Sequence, residues 1–409
     1  MNHQNSTTTQ QGAPRVSFPS DAPLELIFVS IENWDDVWRR NQFVCGQIAT
    51  RFPNSKILFV GTARDVSNQI RTGRTADLRT PATWQVPGYP NIHVTRPLKF
   101  LPNTIPATRR INEAMVRSHA LRVARQLGFR RPILWLNPHY AVHMVGKMGE
   151  DRVIYDITDD WITLTQSEAL TRLIIEQDRE LCRVADAVIV CSQKLYDLKQ
   201  ELARNLHLIP NGVDAEHYRC VLEGTGALPE EAADWPRPIY GYTGTIHPDR
   251  VDVDLLERMA RRLTQGCFAL VGPFFLPDAD RDRLLATGKV FFTGPVPYTR
   301  LPQFMRAFDV CMTPHMVTPF TESLNPIKLW EYLAGGKPIV STDVAGFRDF
   351  PQFVRIAKSE DEFLNALQEA QHEAPERGEA RRAEARKHSW DARVDQILEV
   401  VADCKSAGS

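Results

Sequence analysis

The chain has 409 residues, too many for one ordinary core, so two or three domains are expected and a single small module is excluded. With 43% hydrophobic and 24% charged residues the composition is that of a globular protein, and 49 basic against 50 acidic residues leave no global attraction for nucleic acid. Its seven cysteines are odd in number and never spaced as C-x-x-C, which argues against a disulfide framework or a zinc site and fits a reducing cytoplasm. Residues Met1 to Ala22, rich in Asn, Gln, Ser and Thr, read as a disordered tail. No later stretch approaches the ~20 apolar residues of a membrane span. Strands are predicted at Leu24–Ser30, Lys56–Gly61, Ile133–Asn137, Val153–Ile157 and Ala187–Cys191, with helices at Gln42–Arg51, Thr108–Gly128 and Leu170–Val184. The alternation repeats after residue 236, with strands at Pro238–Tyr242, Cys267–Val271, Val290–Thr293, Val310–Pro314 and Pro338–Thr342. Helices Asp254–Leu263, Leu301–Phe308, Pro326–Leu333 and Glu360–Ala370 lie between and after them. Short apolar strands alternating with amphipathic helices predict two α/β units with parallel sheets.

The expected division is a first domain over 23–215, a linker over 216–236 rich in Gly, Pro and acid, a second domain over 237–388, and a terminal segment over 389–405. That last segment places Val394, Ile397, Leu398 and Val401 on one side of a helix, a face that needs a partner and is expected to return to the first unit.

Ligands of open parallel sheets bind beyond the carboxyl ends of strands, which directs attention to the loops there. In Ser323-Leu-Asn-Pro-Ile-Lys-Leu-Trp-Glu-Tyr-Leu-Ala-Gly-Gly336, Asn325 is expected as an N-cap, Pro326 at the first helical position and Gly335-Gly336 at the end. Free N–H groups and the positive dipole end make the start of this helix an anion site. Lys328 in the first turn is disfavoured by the dipole unless an anion meets it, and Glu331 on the same face can accept from sugar or ribose hydroxyls. A plain surface i,i+3 ion pair between them is the equally weighted alternative.

In Tyr242-Thr-Gly-Thr-Ile-His247, Gly244 would allow close approach of a phosphate, with Thr243 or Thr245 donating hydroxyls and His247 a further ligand contact; a simple turn is the alternative. Asp159 and Asp160 stand together just after a strand, where like charge raises a carboxyl pKa and suits a general base, unless one of them caps the next helix. His139, at the end of another strand, is a weaker base or substrate contact, and Trp34–Arg40 could line an acceptor pocket. Gly224-Thr-Gly226 lacks both a preceding strand and the third glycine of a dinucleotide fingerprint. Asp278 and Asp280 read as a helix start, so no metal is expected.

From residue 24 to 404 the chain resembles a GT-B glycosyltransferase, in the group around glycosyltransferase family 4 that builds bacterial surface polysaccharides and glycolipids. The resemblance rests on Ile209-Pro-Asn-Gly-Val-Asp214, Tyr242-Thr-Gly-Thr245, Val290-Phe-Phe-Thr-Gly-Pro-Val296 and, most specifically, Asn325-Pro-Ile-Lys-Leu-Trp-Glu-Tyr-Leu-Ala-Gly-Gly-Lys-Pro338. It implies two Rossmann-like domains facing across a cleft, the second binding a nucleoside-diphosphate-sugar donor and the first a glycan or lipid-linked acceptor, with no metal cofactor. Glu331 would then hold the ribose, Lys328 the diphosphate, Gly244 and Thr245 the phosphate or sugar, and the Val296 backbone the base; His247, Ser323 and Asn325 complete the expected donor wall. Three departures stand out: Ser323 eight residues before Glu331 where the family has Glu, Thr245 where relatives have Arg, and Thr158-Asp159-Asp160 where a His is frequent. The aspartates are similar to those of teichuronic-acid-type enzymes, in which an Asp deprotonates the acceptor and the anomeric carbon inverts. A nucleotide-sugar epimerase, a phosphorylase and a non-catalytic binding protein on the same architecture remain alternatives.

Between Pro106 and Arg131 seven arginines (109, 110, 117, 122, 125, 130, 131) face one acid, Glu113. Such a helix docks on an anionic membrane surface or is a solvated side; with the resemblance to enzymes of lipid-linked acceptors, peripheral attachment to the inner face of the plasma membrane is the expectation.

Overall fold

The computed structural model describes residues 23–404 apart from 74 and 165. The tail expected over Met1 to Ala22 and the last residue of the 389–405 segment lie outside the described residues. The first domain carries strands β1 (Glu25–Val29), β2 (Lys56–Val60), β3 (Arg64–Asp65), β4 (Thr83–Val86), β5 (Tyr89–Thr95), β6 (Leu98–Lys99), β7 (Ile133–Leu136), β8 (Arg152–Ile157), β9 (Ala187–Val190) and β10 (Leu206–Leu208). Its helices are α1 (Arg40–Arg51), α2 (Val66–Arg71), α3 (Pro106–Gln126), α4 (Glu168–Val184) and α5 (Gln193–Lys199). The second domain, entered after α6 (Arg219–Glu223), has β11 (Ile239–Thr243), β12 (Cys267–Val271), β13 (Val290–Gly294), β14 (Val310–Thr313), β15 (Ile339–Thr342) and β16 (Val354–Ala357). Its helices are α7 (Val253–Arg262), α8 (Asp278–Leu285), α9 (Leu301–Ala307), α10 (Ile327–Ala334), α11 (Glu360–Ala370) and α12 (Glu376–Arg386); α13 (Trp390–Asp403) ends the described chain.

Among the described residues the first sheet runs β10-β9-β8-β7-β1-β2-β5-β4 and the second β13-β12-β11-β14-β15-β16. All pairs are parallel except β4 with β5. Helices on both faces explain why β1, β7, β9, β11, β12, β14 and β15 are buried along their whole length and are mostly apolar. Side-chain caps fix several helix starts: Ser167, Asp252, Ser359 and Ser389 each accept from a backbone N–H three residues on.

Residues 216–236 do not form the expected linker. Tyr218, Val221, Ala232 and Trp235 pack into the second domain's core with Phe304, Phe308 and Leu333, so turn-forming composition here marks a surface wrap rather than a hinge. The crossing is shorter. Val213 pairs with Ser389, Val213 N–H donates to His388 O and Trp390 N–H to Val213 O, which ties outgoing and returning strands together. Gly212 suits this close approach, because a Cβ would lie 3.0 Å from the Trp390 nitrogen and press on backbone. Beyond the crossing, Val394, Ile397, Leu398 and Val401 of α13 join the first-domain core with Leu26, Phe28 and Val44, and Trp390 stacks on Phe43 at 4.8 Å.

Candidate active site

The two domains enclose a cavity of about 210 Å³ between the carboxyl ends of their sheets. The second-domain wall starts at Gly244, just after β11, whose φ of +118° suits glycine and lets the loop pass over Lys328; a Cβ would meet the Lys328 Cε at 3.3 Å. Thr243, Thr245, Arg250, Val296, His315 and residues 324–328 with Glu331 complete that wall. The first-domain wall consists of Glu32 after β1, residues 37–41 at the start of α1, and Thr158 with Asp159 after β8, closed at the back by Asn211 of the crossing.

Lys328 sits in the first turn of α10, half-buried, with its ammonium donating to the Tyr242 hydroxyl at 2.9 Å and lying 4.5 Å from that ring. No carboxylate among the described residues lies within ion-pair distance of it. Burial, followed by repulsion from Arg250, lowers its pKa to about 7, with Glu331 opposing. Glu331 is not its surface partner: the carboxylate is buried and accepts from the Tyr218 hydroxyl at 2.8 Å, and burial raises its pKa. The surface ion pair is thereby replaced by two charges held separately, each on its own tyrosine hydroxyl.

Facing them, Glu32 is pushed up to about 7 by burial, with Arg39 at 3.2 Å pulling the other way and Asp159 and Asp35 adding to the rise. Asp159 is raised by burial too, countered by Arg250 and by the Thr158 hydroxyl at 3.1 Å. Arg40 anchors this wall: buried, it pairs with Asp156 of β8 at 3.0 Å and donates to the carbonyl of Ile209 in the crossing at 3.0 Å. Its Nη2, the Asn41 Oδ1 and the Thr243 Oγ1 have no partner among the described residues, and all three residues line the cavity.

The cavity therefore brings together Asp159, Gly244, Thr245, Val296, Asn325, Lys328 and Glu331. Four expected residues lie outside it. Asp160 caps the short turn at Trp161–Thr163, accepting from Ile162 N–H at 3.3 Å. His139 faces the buried Asp178–Lys199 pair, and burial lowers its pKa to about 4. His247 turns to Asp249 at 2.6 Å near the surface. Ser323 is fully buried, donating to Phe320 O while its own carbonyl accepts from the Ser192 hydroxyl at 2.6 Å across the domains. Asn325 does not cap α10. Its Oδ1 accepts from Asn211 N–H at 2.9 Å and its carbonyl from the Asn211 amide at 2.5 Å, and Pro326 takes the cap position without a side-chain bond.

Sequence reasoning missed Arg250, Glu32 and His315. The signal for Arg250 was a basic residue six positions past Gly244 in the loop already singled out; for Glu32, an acid shortly after the first strand. Nothing marked His315, whose buried ring nitrogen lies 3.2 Å from the Tyr242 hydroxyl and whose pKa is lowered by burial beside Lys328 and Arg250. No group of three or more His, Cys, Asp or Glu among the described residues is arranged to hold a metal, all seven cysteines are free, and no helix among them is long and apolar enough to cross a membrane.

Residues 250–399 match the family described as glycosyl transferase-like. Over 213 residues, 47% of this chain, the sequence is 27% identical to a protein of Bacillus subtilis named as the teichuronic acid biosynthesis glycosyltransferase TuaH, and the match spans about half (51%) of that relative's length. Among solved structures, sucrose-phosphate synthase from Thermosynechococcus elongatus superposes with a TM-score of 0.67 at 17% identity, covering 93% of this chain and 98% of that one. HepE of Anabaena, solved with UDP and glucose, gives 0.65 at 15% identity over 93% of this chain and 100% of that one. The chain is thus a two-domain α/β protein of the GT-B glycosyltransferase fold, with the glycosyl transferase-like family's signature in its second domain.

Proposed function

We propose that the chain is a glycosyltransferase that moves a sugar from a nucleoside diphosphate to an acceptor hydroxyl in polysaccharide or glycolipid biosynthesis. The observation that carries this is Lys328: a half-buried ammonium with no carboxylate partner among the described residues, at a helix N-terminus, facing a cleft closed by both domains. A diphosphate would meet this ammonium with negative charge. As the glycosidic bond to it breaks, charge grows on the leaving oxygen, and Lys328, Arg250 and the α10 N-terminus stabilise it without a divalent metal. Glu331 takes the ribose hydroxyls, Gly244 and Thr245 the phosphate or sugar, and the Val296 backbone the base. UDP and UDP-glucose in HepE support a nucleotide-sugar donor.

On the opposite wall Glu32 is the proton acceptor, since a pKa of about 7 suits a general base at neutral pH. Burial keeps that pKa high and the charge of Asp159 adds to it; Asp159 in turn meets Arg250 across the cleft. Deprotonation from this side, opposite the diphosphate, gives inversion. The TuaH likeness supports an acceptor in cell-surface polysaccharide synthesis, and free cysteines support a cytoplasmic location. On α3, exposed Ile111 and Met115 share a face with Arg122 and Arg125, which supports peripheral docking on anionic lipid.

The deciding experiment is transfer or donor hydrolysis by purified protein supplied with UDP-glucose and other nucleotide sugars, with and without a chelator. Turnover resistant to chelation and abolished in Lys328→Ala is expected; an active Lys328→Ala protein overturns the assignment. Sedimentation with anionic and neutral liposomes tests the membrane part.

A further inference from the structure

A second cavity, of about 270 Å³, lies in the first domain beyond β1 and β2, under the first half of α3. Its volume is near the lower end of the ~300–1,000 Å³ of small-molecule sites, enough for a sugar unit. Val29, Val60, Ala141 and Met144 make an apolar floor of the kind a sugar face packs on. The rim carries two cations. Lys99 pairs with Asp65 at 2.9 Å, while Arg109 has Glu113 at 3.7 Å, beyond hydrogen-bond distance. Glu113 faces Arg109, Arg110, Arg117 and Lys147, and burial raises its pKa, so positive charge dominates this rim. Asn112, buried, fixes the rim's shape by donating to Leu101 O at 2.7 Å and to the Asn103 side chain at 2.7 Å.

This cavity is one side chain away from the cleft. Ser30 lines the second cavity and Asn41 the first, and they are hydrogen bonded at 2.8 Å. The Ser30 hydroxyl also accepts from the backbone N–H of Glu32, the proposed base, at 3.0 Å.

We propose that the second cavity is a subsite for an anionic sugar unit, a hexose bearing a phosphate or carboxylate group, with its charge on Arg109 and Lys99. As the acceptor subsite it rests on the transferase reading above; as a binding site it stands on its own geometry. Its neighbour Ser30 links occupancy to the position of Glu32.

The test is titration of the full chain with glucose 1-phosphate, glucuronate and glucose, followed by calorimetry or ligand-observed NMR, for wild type, Arg109→Ala, Lys99→Gln and Lys328→Ala. One or both anionic sugars are expected to bind about tenfold or more tightly than glucose, the gain of a charged hydrogen bond. Which of the two does so tells phosphate from carboxylate. Arg109→Ala and Lys99→Gln should remove most of that preference, and Lys328→Ala should leave it intact. Equal affinity for all three sugars, or a preference that survives both first-domain substitutions or disappears with Lys328, overturns the proposal. UDP-glucose binding to the same samples separates the two readings: anionic-sugar binding without UDP-glucose binding sinks the donor cleft and leaves this site standing.

Discussion

The two walls of the cleft are built differently. On the second-domain side Lys328 and Glu331 both sit on the short helix α10, each with a single hydroxyl partner, and only Arg250 comes from a loop. On the first-domain side Glu32 and Asp159 stand in loops, surrounded by several charges of both signs. The contrast teaches that one side is pre-shaped for a constant ligand, whereas the other sets a proton affinity by a balance of neighbours. Rigid element ends hold a geometry; loop charges tune a pKa.

Lys328→Met tests the rigid side and has the largest expected effect. Transfer should fall by about 10²–10³, the usual cost of removing one stabilising charge or donor from a leaving oxyanion, and donor binding should be lost. The protein should nonetheless be more stable, because a half-buried charge without a carboxylate partner among the described residues is replaced by an apolar chain. The pH dependence gives the sign. Between about 7 and 10.5 the unfolded chain holds a proton on Lys328 that the folded one lacks, so wild-type stability rises with pH across that window. Melting temperatures of the variant should lack this rise; a variant melting lower than wild type at all pH values would refute the lone-charge description.

Glu32→Gln tests the tuned side. Removal of a general base should lower turnover about 10²–10⁴-fold, with donor affinity unchanged. In wild type the rate should climb as Glu32 deprotonates near 7, while donor binding weakens as Lys328 loses its proton near 7, giving a narrow bell for kcat/KM. Glu32→Gln should lose the acid limb only. An acid limb that vanishes in Asp159→Asn and persists in Glu32→Gln would transfer the role to Asp159. Arg250→Ala sharpens the comparison further, since Arg250 acts on both walls: without its repulsion the Lys328 pKa rises, and the alkaline limb should move to higher pH as donor affinity falls.

The difference between the walls also decided what could be read from the amino-acid order. Strands and helices were legible because burial on both faces leaves mostly apolar runs, and the α10 segment because a cation in a first turn demands an explanation. Arg250 and Glu32 were not, since their roles depend on loops folding back across about 90 or more residues to meet Asp159. Ser323 and Asn325 misled for a related reason. Both lie in a strong motif, yet tertiary partners, Ser192 and Asn211, claimed the polar groups that local rules assign to the ligand or the cap. The residues 216–236 misled by composition, because turn-forming residues wrap a surface as readily as they join domains.

Asn325 gives the smallest prediction and the finest distinction. As a cap, its removal would weaken α10 by about 0.5–2 kcal/mol whatever stands at 211. As an interdomain pin, Asn325→Ala loses the bond from Asn211 N–H to its Oδ1 but keeps the backbone carbonyl that the Asn211 amide reaches. The expected cost is then about 0.5–1.5 kcal/mol of domain closure, read as a few-fold rise in donor KM with little change in kcat. Gly at 211 keeps the N–H yet cannot reach that carbonyl, so Asn211→Gly should show its own few-fold effect. The two residues form one unit, so the double variant should fall short of the product of the singles. Strict multiplicativity, with a lower melting temperature in Asn325→Ala alone, would return Asn325 to the helix and leave the closed cleft resting on Ser192 and Arg40.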